Sequence, residues 1–285
     1  MMIQMTGHSF RDNRKENKKK ITFLYKLGLL LGALVILTSC QKQNQSIKIA
    51  IIDTGFCPSK IELPKNIKIH PKAKMPICVE DYCAQFDLTN RRFHGHQVLS
   101  TIIDRLKIQK DIEIYPIVVF DNQGKQSPHY WEKALKFIVK NKIDFVVSAA
   151  GAEVKDRKHR LLPKEPFFFM ASGQRSIGIE MTTRLFPQGY KTQKSLLIGS
   201  YHPPILEGDN QNLYNKTLLY QSKIDYYFPH DQKFQGLQGS SLAVSLAFPK
   251  ALNLCEKELN DLKSCLSKLR KPLKFSNHKE EGFTF

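Results

Sequence analysis

Short apolar runs, each stopped by small or polar residues and separated by amphipathic stretches, constrain this chain more than any other feature. Lys48-Ile49-Ala50-Ile51-Ile52-Asp53 halts at Thr54-Gly55, and similar runs follow at Ile112 to Val119, Ile143 to Ser148, Phe167 to Ser172, Ser195 to Ser200 and Ile224 to Phe228. Runs of this length without polar alternation read as strands buried on both faces, the position of parallel strands in a sheet. Between them, Val98, Ile102 and Leu106 recur at helical spacing, and Trp131, Ala134, Leu135, Ile138 and Val139 trace one buried helical stripe. The alternation predicts an α/β class with a mainly parallel, doubly wound sheet and flanking helices. From Leu242 to Leu269 a further apolar periodicity predicts helix, with Pro249 expected to kink or split it by removing a backbone donor. Lys271 to Phe285 reads as a polar tail. A chain of 285 residues with 41% hydrophobic content can build a sizeable core, which excludes disordered, collagen-like and disulfide-scaffold classes.

The first forty residues follow a different rule. Arg11, Arg14, Lys15, Lys18, Lys19 and Lys20 lead into the uncharged run Leu27 to Leu37, which ends in Leu37-Thr38-Ser39-Cys40. A basic segment, a short apolar core and small residues before a cut describe an export signal over residues 1–39. The run is too short to span a bilayer comfortably, and the polar stretch after it does not continue the helix. Leu37-Thr38-Ser39-Cys40 resembles the bacterial lipobox, which implies cleavage before Cys40 and diacylglycerol on its thiol. Residues 40–47 then form a lipidated cysteine and short linker, and the protein is expected in a bacterial cell envelope, tethered to a membrane. Gln41 after the cysteine points to the outer membrane where the cell has one.

Removing residues 1–39 leaves 37 Lys and Arg against 24 Asp and Glu, a net charge of +13. The lysines are scattered and not interleaved with aromatics, so no specific nucleic-acid partner is expected; an anionic membrane surface or an acidic polymer suits such a field better. A lysine-rich surface that merely keeps the protein soluble explains the same charge. Once Cys40 is lipidated, Cys57, Cys78, Cys83, Cys255 and Cys265 allow at most two disulfides with one thiol left over, and an exported chain permits them. Cys78 and Cys83 can close a small ring, whereas Cys255 and Cys265 need a bend between them to meet; connectivity stays open. A zinc site from Cys78, Cys83, His94 and His96 is the alternative, at a spacing that matches no common structural zinc pattern.

In an open parallel sheet, reactive groups collect where strands end. Three clusters occupy such boundaries: Asp53-Thr54-Gly55 after the first strand, His94-Gly95-His96-Gln97-Val98 opening a helix, and Gly239-Ser240-Ser241-Leu242-Ala243 opening another. Singly, Asp53 reads as a turn former, His94 as a helix start and Ser241 as an N-cap. Jointly, Asp, His and Ser are the parts of a nucleophilic triad: a hydroxyl needs a base to accept its proton, and the imidazole needs its other nitrogen held.

These segments resemble the subtilisin-like serine proteases. Ile51-Ile52-Asp53-Thr54-Gly55 is similar to the family's Asp motif, His94-Gly95-His96-Gln97-Val98 to its His-Gly-Thr-x-Val motif, and Gly239-Ser240-Ser241-Leu242-Ala243 to its Gly-Thr-Ser-Met-Ala motif. The resemblance covers residues 48 to about 255 and implies a peptidase domain over 48–270, expected to act as a monomer on a polypeptide substrate. It implies Asp53, His94 and Ser241 as the triad. It also implies Ser148, Ala149, Ala150 and Gly151 as the strand that pairs with substrate, and Ala171, Ser172 and Gly173 as the opposite wall. Small side chains on both walls lead to the expectation that a sizeable apolar residue is accepted before the cleaved bond.

Gln174 stands where the family has its oxyanion Asn; its amide still donates, one methylene further out. His96 replaces a Thr and sets a second imidazole beside the first, Ser245 stands where a Pro follows the nucleophile, and Ser240 for Thr keeps the hydroxyl. Only seven residues, 41 to 47, separate Cys40 from the domain, leaving no room for the family's usual N-terminal pro-domain. Asp87 with Asn90 is a thin calcium candidate, so neither a bound metal nor a cofactor is expected. Two functions remain: a membrane-tethered serine endopeptidase, and a catalytically impaired lipoprotein of the same fold that binds peptides or envelope components. An ester-cleaving hydrolase with the same triad is a third.

Overall fold

The computed structural model describes residues 46–70, 83, 93–121, 125–126, 128–153, 162–173, 185–201, 224–229, 237, 239–274 and 281–285. Its centre is β1 (Ile47–Asp53), whose odd and even side chains go to opposite faces of a sheet. Ile47, Ile49 and Ile51 pack with Val98, Leu99 and Ile102 of α1 (His94–Arg105) and with Leu242, Val244, Ala247 and Phe248 of α3 (Gly239–Leu254). Ala50 and Ile52 pack instead with Trp131, Ala134 and Ile138 of α2 (Pro128–Lys140). Helices therefore lie on both faces, and a strand between them has no polar face to show, which is why β1 contains an unbroken run from Ile49 to Ile52.

The remaining strands are β2 (Ile67–Ile69), β3 (Ile112–Val118), β4 (Phe145–Ser148), β6 (Phe167–Ala171), β8 (Ser195–Tyr201) and β9 (Tyr226–Pro229), with a two-residue antiparallel pair, β5 (Ala152–Glu153) and β7 (Leu185–Phe186), set apart. The seven-stranded sheet runs β2-β3-β1-β4-β6-β8-β9, and every pairing in it is parallel. The α/β class with a parallel sheet and flanking helices follows the apolar runs closely. Within α2 the expected stripe is narrower than the periodicity predicts: Val139 is 58% exposed, because Trp131, Ala134 and Ile138 already fill the space over the sheet.

Three expectations change. Pro249 does not split its helix, which runs unbroken from Gly239 to Leu254. An interior proline costs about 3 kcal/mol. Leu242, Val244, Phe248 and Leu252 are all fully buried, and each such side chain contributes roughly 1.5–3 kcal/mol, so packing outweighs the lost bond. The chain then turns through a 3-10 segment, Glu256–Asp261, into α4 (Leu262–Lys268); this turn brings Cys255 and Cys265 together as a disulfide. Finally, residues 271–285 are not simply a polar tail: β10 (Lys271–Lys274) pairs antiparallel with β11 (Glu281–Thr284), and Phe285 is buried edge-on against Tyr226 and Phe228. Charged and polar residues outnumber the apolar ones in this stretch, yet Phe285 docks its end on β9, with Phe283 packed against the same core.

Candidate active site

Strand order places a switch point at β1 and β4: β1 leads toward β3 and β2 on one side, while β4 and its successors build out on the other. Crevices form outside the carboxyl ends of strands at such points. Asp53 ends β1 and Ser148 ends β4, with Ile52 and Ser148 in register.

Asp53 is 1% exposed. Its Oδ1 accepts the Thr54 backbone N–H at 2.6 Å and is 2.8 Å from His94 Nδ1, the first residue of α1. Oδ2 is buried without a partner among the described residues. The turn after Asp53 also supplies the helix start. First-turn N–H groups have no partner within a helix, and Phe93, at the cap position, offers no side-chain bond. Thr54 Oγ1 accepts from Gly95 N–H at 3.0 Å, and the Gly55 carbonyl from His96 N–H at 3.1 Å. Gly95 permits this approach, since a Cβ there would stand 2.9 Å from both Asp53 Cβ and Phe56 Cζ. Burial pushes the His94 imidazole down, but the charge of Asp53 and the bond to it push harder, and its pKa lies above the ordinary 6.5.

His96 does not sit with His94. Two residues along a helix is about 200° of rotation, so its ring faces away. Its Nδ1 accepts the Cys57 backbone N–H at 3.3 Å in a buried position, and burial lowers its pKa. Cys57 is joined to Cys83, so the Cys78–Cys83 ring is replaced by a bridge that anchors the loop following Asp53. Cys78 lies outside the described residues. With Cys83 in a disulfide, the proposed zinc set loses a ligand, and no group of three or more His, Cys, Asp or Glu among the described residues could hold a metal ion.

Ser241 is the third residue of α3. Gly239 and Gly173 take positive φ, 61° and 89°, and the Ser240 hydroxyl links the two turns by accepting from Gly173 N–H at 3.0 Å and lying 3.1 Å from Gly173 O. Ser241 Oγ donates to the Ala149 carbonyl at 3.4 Å, a long bond, while Ser245 Oγ donates to the Ser241 carbonyl at 2.6 Å. The hydroxyl of Ser241 is therefore held just past the end of β4, the strand beside the one that carries Asp53.

The expected substrate strand divides. Ser148 is fully buried, in register with Ile52 on one side and Met170 on the other, and its hydroxyl donates to Ala150 O at 2.8 Å. Ala149, Ala150 and Gly151 lie beyond the ladder. Ala171 and Ser172 are buried at the end of β6, where Ser172 N–H donates to Ile198 O at 2.9 Å, and Gly173 meets Ser240. Gln174 and Cys40, together with Asp87 and Asn90, fall outside the described residues. Two contributors were not legible in the motifs: Thr54, as the cap of α1, and Gln188, whose Nε2 donates to Ala150 O at 3.1 Å. Thr54 carries a signal in hindsight, a hydroxyl next to the Asp; Gln188 carries none, because its contact spans 38 residues.

No family model and no curated protein matches the sequence. Among solved structures, that of the prenylagaramide maturation protease PagA is similar over 82% of this chain and 86% of that chain, at 16% identity and a TM-score of 0.49. Likeness of that degree carries nothing about activity. Among the described residues no helix is long and apolar enough to cross a membrane.

Proposed function

We propose that this chain is a subtilisin-like serine endopeptidase, tethered to the bacterial cell envelope by lipid on Cys40 and cleaving polypeptides with Asp53, His94 and Ser241. The observation that carries the reading is the 2.8 Å bond between His94 Nδ1 and the carboxylate of Asp53, 1% exposed, at the switch point. An ordinary helix start has no use for a buried carboxylate behind its imidazole. A general base does: the bond holds the proton on Nδ1, leaves Nε2 as the basic nitrogen and stabilises the cation formed in turnover.

In the reaction, Ser241 Oγ bonds to the carbonyl carbon of the peptide while its proton passes to His94 Nε2. That proton moves to the amine nitrogen as the C–N bond breaks, leaving an ester on Ser241. Water, deprotonated by His94 Nε2, then attacks the ester carbonyl, and Nε2 returns the proton to Ser241 Oγ as the ester C–O bond breaks and the acid leaves. Charge on the carbonyl oxygen is met by the Ser241 backbone N–H, a first-turn donor of α3 with no partner inside the helix, aided by the helix dipole. The Gln174 amide is the second donor in this reading.

A second reading, a catalytically impaired lipoprotein that binds peptides or envelope components, is favoured by one observation: Ser241 Oγ donates to Ala149 O, and no bond joins it to His94. Labelling of membrane fractions by a fluorophosphonate decides between them. The endopeptidase reading expects label on the wild type, none on Ser241→Ala, and loss of membrane partitioning in Cys40→Ser. An unlabelled wild type supports the binder instead.

A further inference from the structure

We propose that Gln188 selects the substrate side chain preceding the cleaved bond, favouring one that ends in an uncharged carboxamide, Gln or Asn. The proposal rests on the peptidase reading of the same groove. Gln188 is 7% exposed, and its Nε2 donates to Ala150 O at 3.1 Å, an acceptor that settles which way the amide faces. The amide lies flat on Gly151: a Cβ added there would stand 2.5 Å from Oε1, 2.9 Å from Nε2 and 3.0 Å from Cδ. Any residue but glycine at 151 would displace it.

Oε1 is buried with no hydrogen-bond partner among the described residues. A buried acceptor left unmet destabilises a fold, and a ligand that brings a donor relieves the cost. Its position fits a ligand group. Ser241 Oγ is held at Ala149 O, and the Gln188 amide meets the next two residues of the same segment, Ala150 and Gly151.

The chemistry of the selected side chain follows from what surrounds Oε1. Ala150, whose carbonyl holds the Gln188 amide, belongs to one apolar cluster with Ala152, Leu162 and Phe186, and Tyr190 packs against that cluster. An ammonium would enter that setting with only a neutral oxygen to face, and burying a charge so weakly paired is costly. A hydrocarbon side chain would leave Oε1 unmet, so this proposal departs from the expectation of a sizeable apolar residue drawn from the small side chains alone. A carboxamide supplies both a donor for Oε1 and an acceptor for the second N–H of Nε2, which the Ala150 bond leaves over.

The test is a set of peptides identical except for Gln, Asn, Met, Leu or Lys at the position before the cleaved bond, assayed with the full-length wild type, Gln188→Met and Gln188→Glu. The wild type should favour Gln over Met in kcat/KM by about tenfold or more. Gln188→Met should reverse that order, and Gln188→Glu should move the preference to Lys. If Gln188 only supports the fold, both variants lose thermal stability while the order of substrates stays put, and the proposal fails. Fluorophosphonate labelling of Ser241 separates the two levels: a labelled, active wild type indifferent to Gln against Met overturns the role of Gln188 alone, whereas an unlabelled, inactive wild type overturns the peptidase reading and this proposal with it.

Discussion

The helices α1 and α3 begin at the same edge of the sheet and pack on the same face, but their first turns are seated differently. The start of α1 is bound three times over to the end of β1 and the turn after it, through His94 to Asp53, Gly95 to Thr54 and His96 to Gly55, with no room for a Cβ at Gly95. The start of α3 is tied by the Ser240–Gly173 pair, while the Ser241 hydroxyl keeps one bond of 3.4 Å among the described residues. In the endopeptidase reading proposed above, the base is in place before substrate arrives, while one rotation about χ1 redirects the Ser241 hydroxyl. Such a site needs little rearrangement to engage, since hydrogen bonds in free enzymes often tighten only with substrate present.

The largest effect should come from cutting the fixed half at its root. Asp53→Asn keeps the shape but favours the wrong imidazole tautomer, and turnover should fall by about 10⁴. Peptide hydrolysis measured against Ser241→Ala as the blank checks it; a loss under tenfold would mean that Asp53 does not orient the base. Next come the two seatings themselves. Gly95→Ala pushes a methyl against Asp53 and Phe56 and should cost about 1–3 kcal/mol of stability along with most of the labelling rate. Ser240→Ala removes only the link to Gly173, for about 1 kcal/mol. Denaturant titration of both variants tests the contrast, and equal losses would erase it.

The smallest effect is in pH dependence, where the two imidazoles oppose each other. His94 has a raised pKa, so activity should climb with pH through a value above 6.5, and Asp53→Asn should move that rise to lower pH. In stability, the Asp53–His94 pair contributes fully below the unfolded value and is lost as pH rises through the folded one. His96 has a lowered pKa, so its contribution is present above 6.5 and lost as pH falls through its folded value. Unfolding midpoints across pH 5 to 8 should therefore show less acid sensitivity in His96→Gln, with the fall on the alkaline side retained; an unchanged acid limb would show that the Cys57 N–H bond does not depend on a neutral ring.

What could be read from the chain beforehand followed the range of the forces involved. The six apolar runs became strands, and Trp131, Ala134 and Ile138 of the expected stripe became the buried face of α2, because periodicity is a local property. Asp53, His94 and Ser241 were visible for the same reason: each belongs to a short segment whose turn chemistry is written in adjacent residues. Cys57 as the partner of Cys83 was not visible, since sequence proximity favoured Cys78. Phe285 on β9 was hidden by its charged neighbours, and the ring of His96 could be placed only once helix phase and the Cys57 loop were known.

By itself, the sequence determined an alternating α/β chain with an acid, an imidazole and a hydroxyl at three element ends, because hydrophobic period and turn residues act over a few positions. Only the tertiary structure decided that β1 and β4 stand side by side, so that Asp53 and the Ala149 carbonyl holding Ser241 share one edge. It also decided that Gln188 reaches across 38 residues to lie on Gly151. Those contacts depend on strand order and on the absence of a single Cβ, and both arise when distant segments pack, where no local pattern records them.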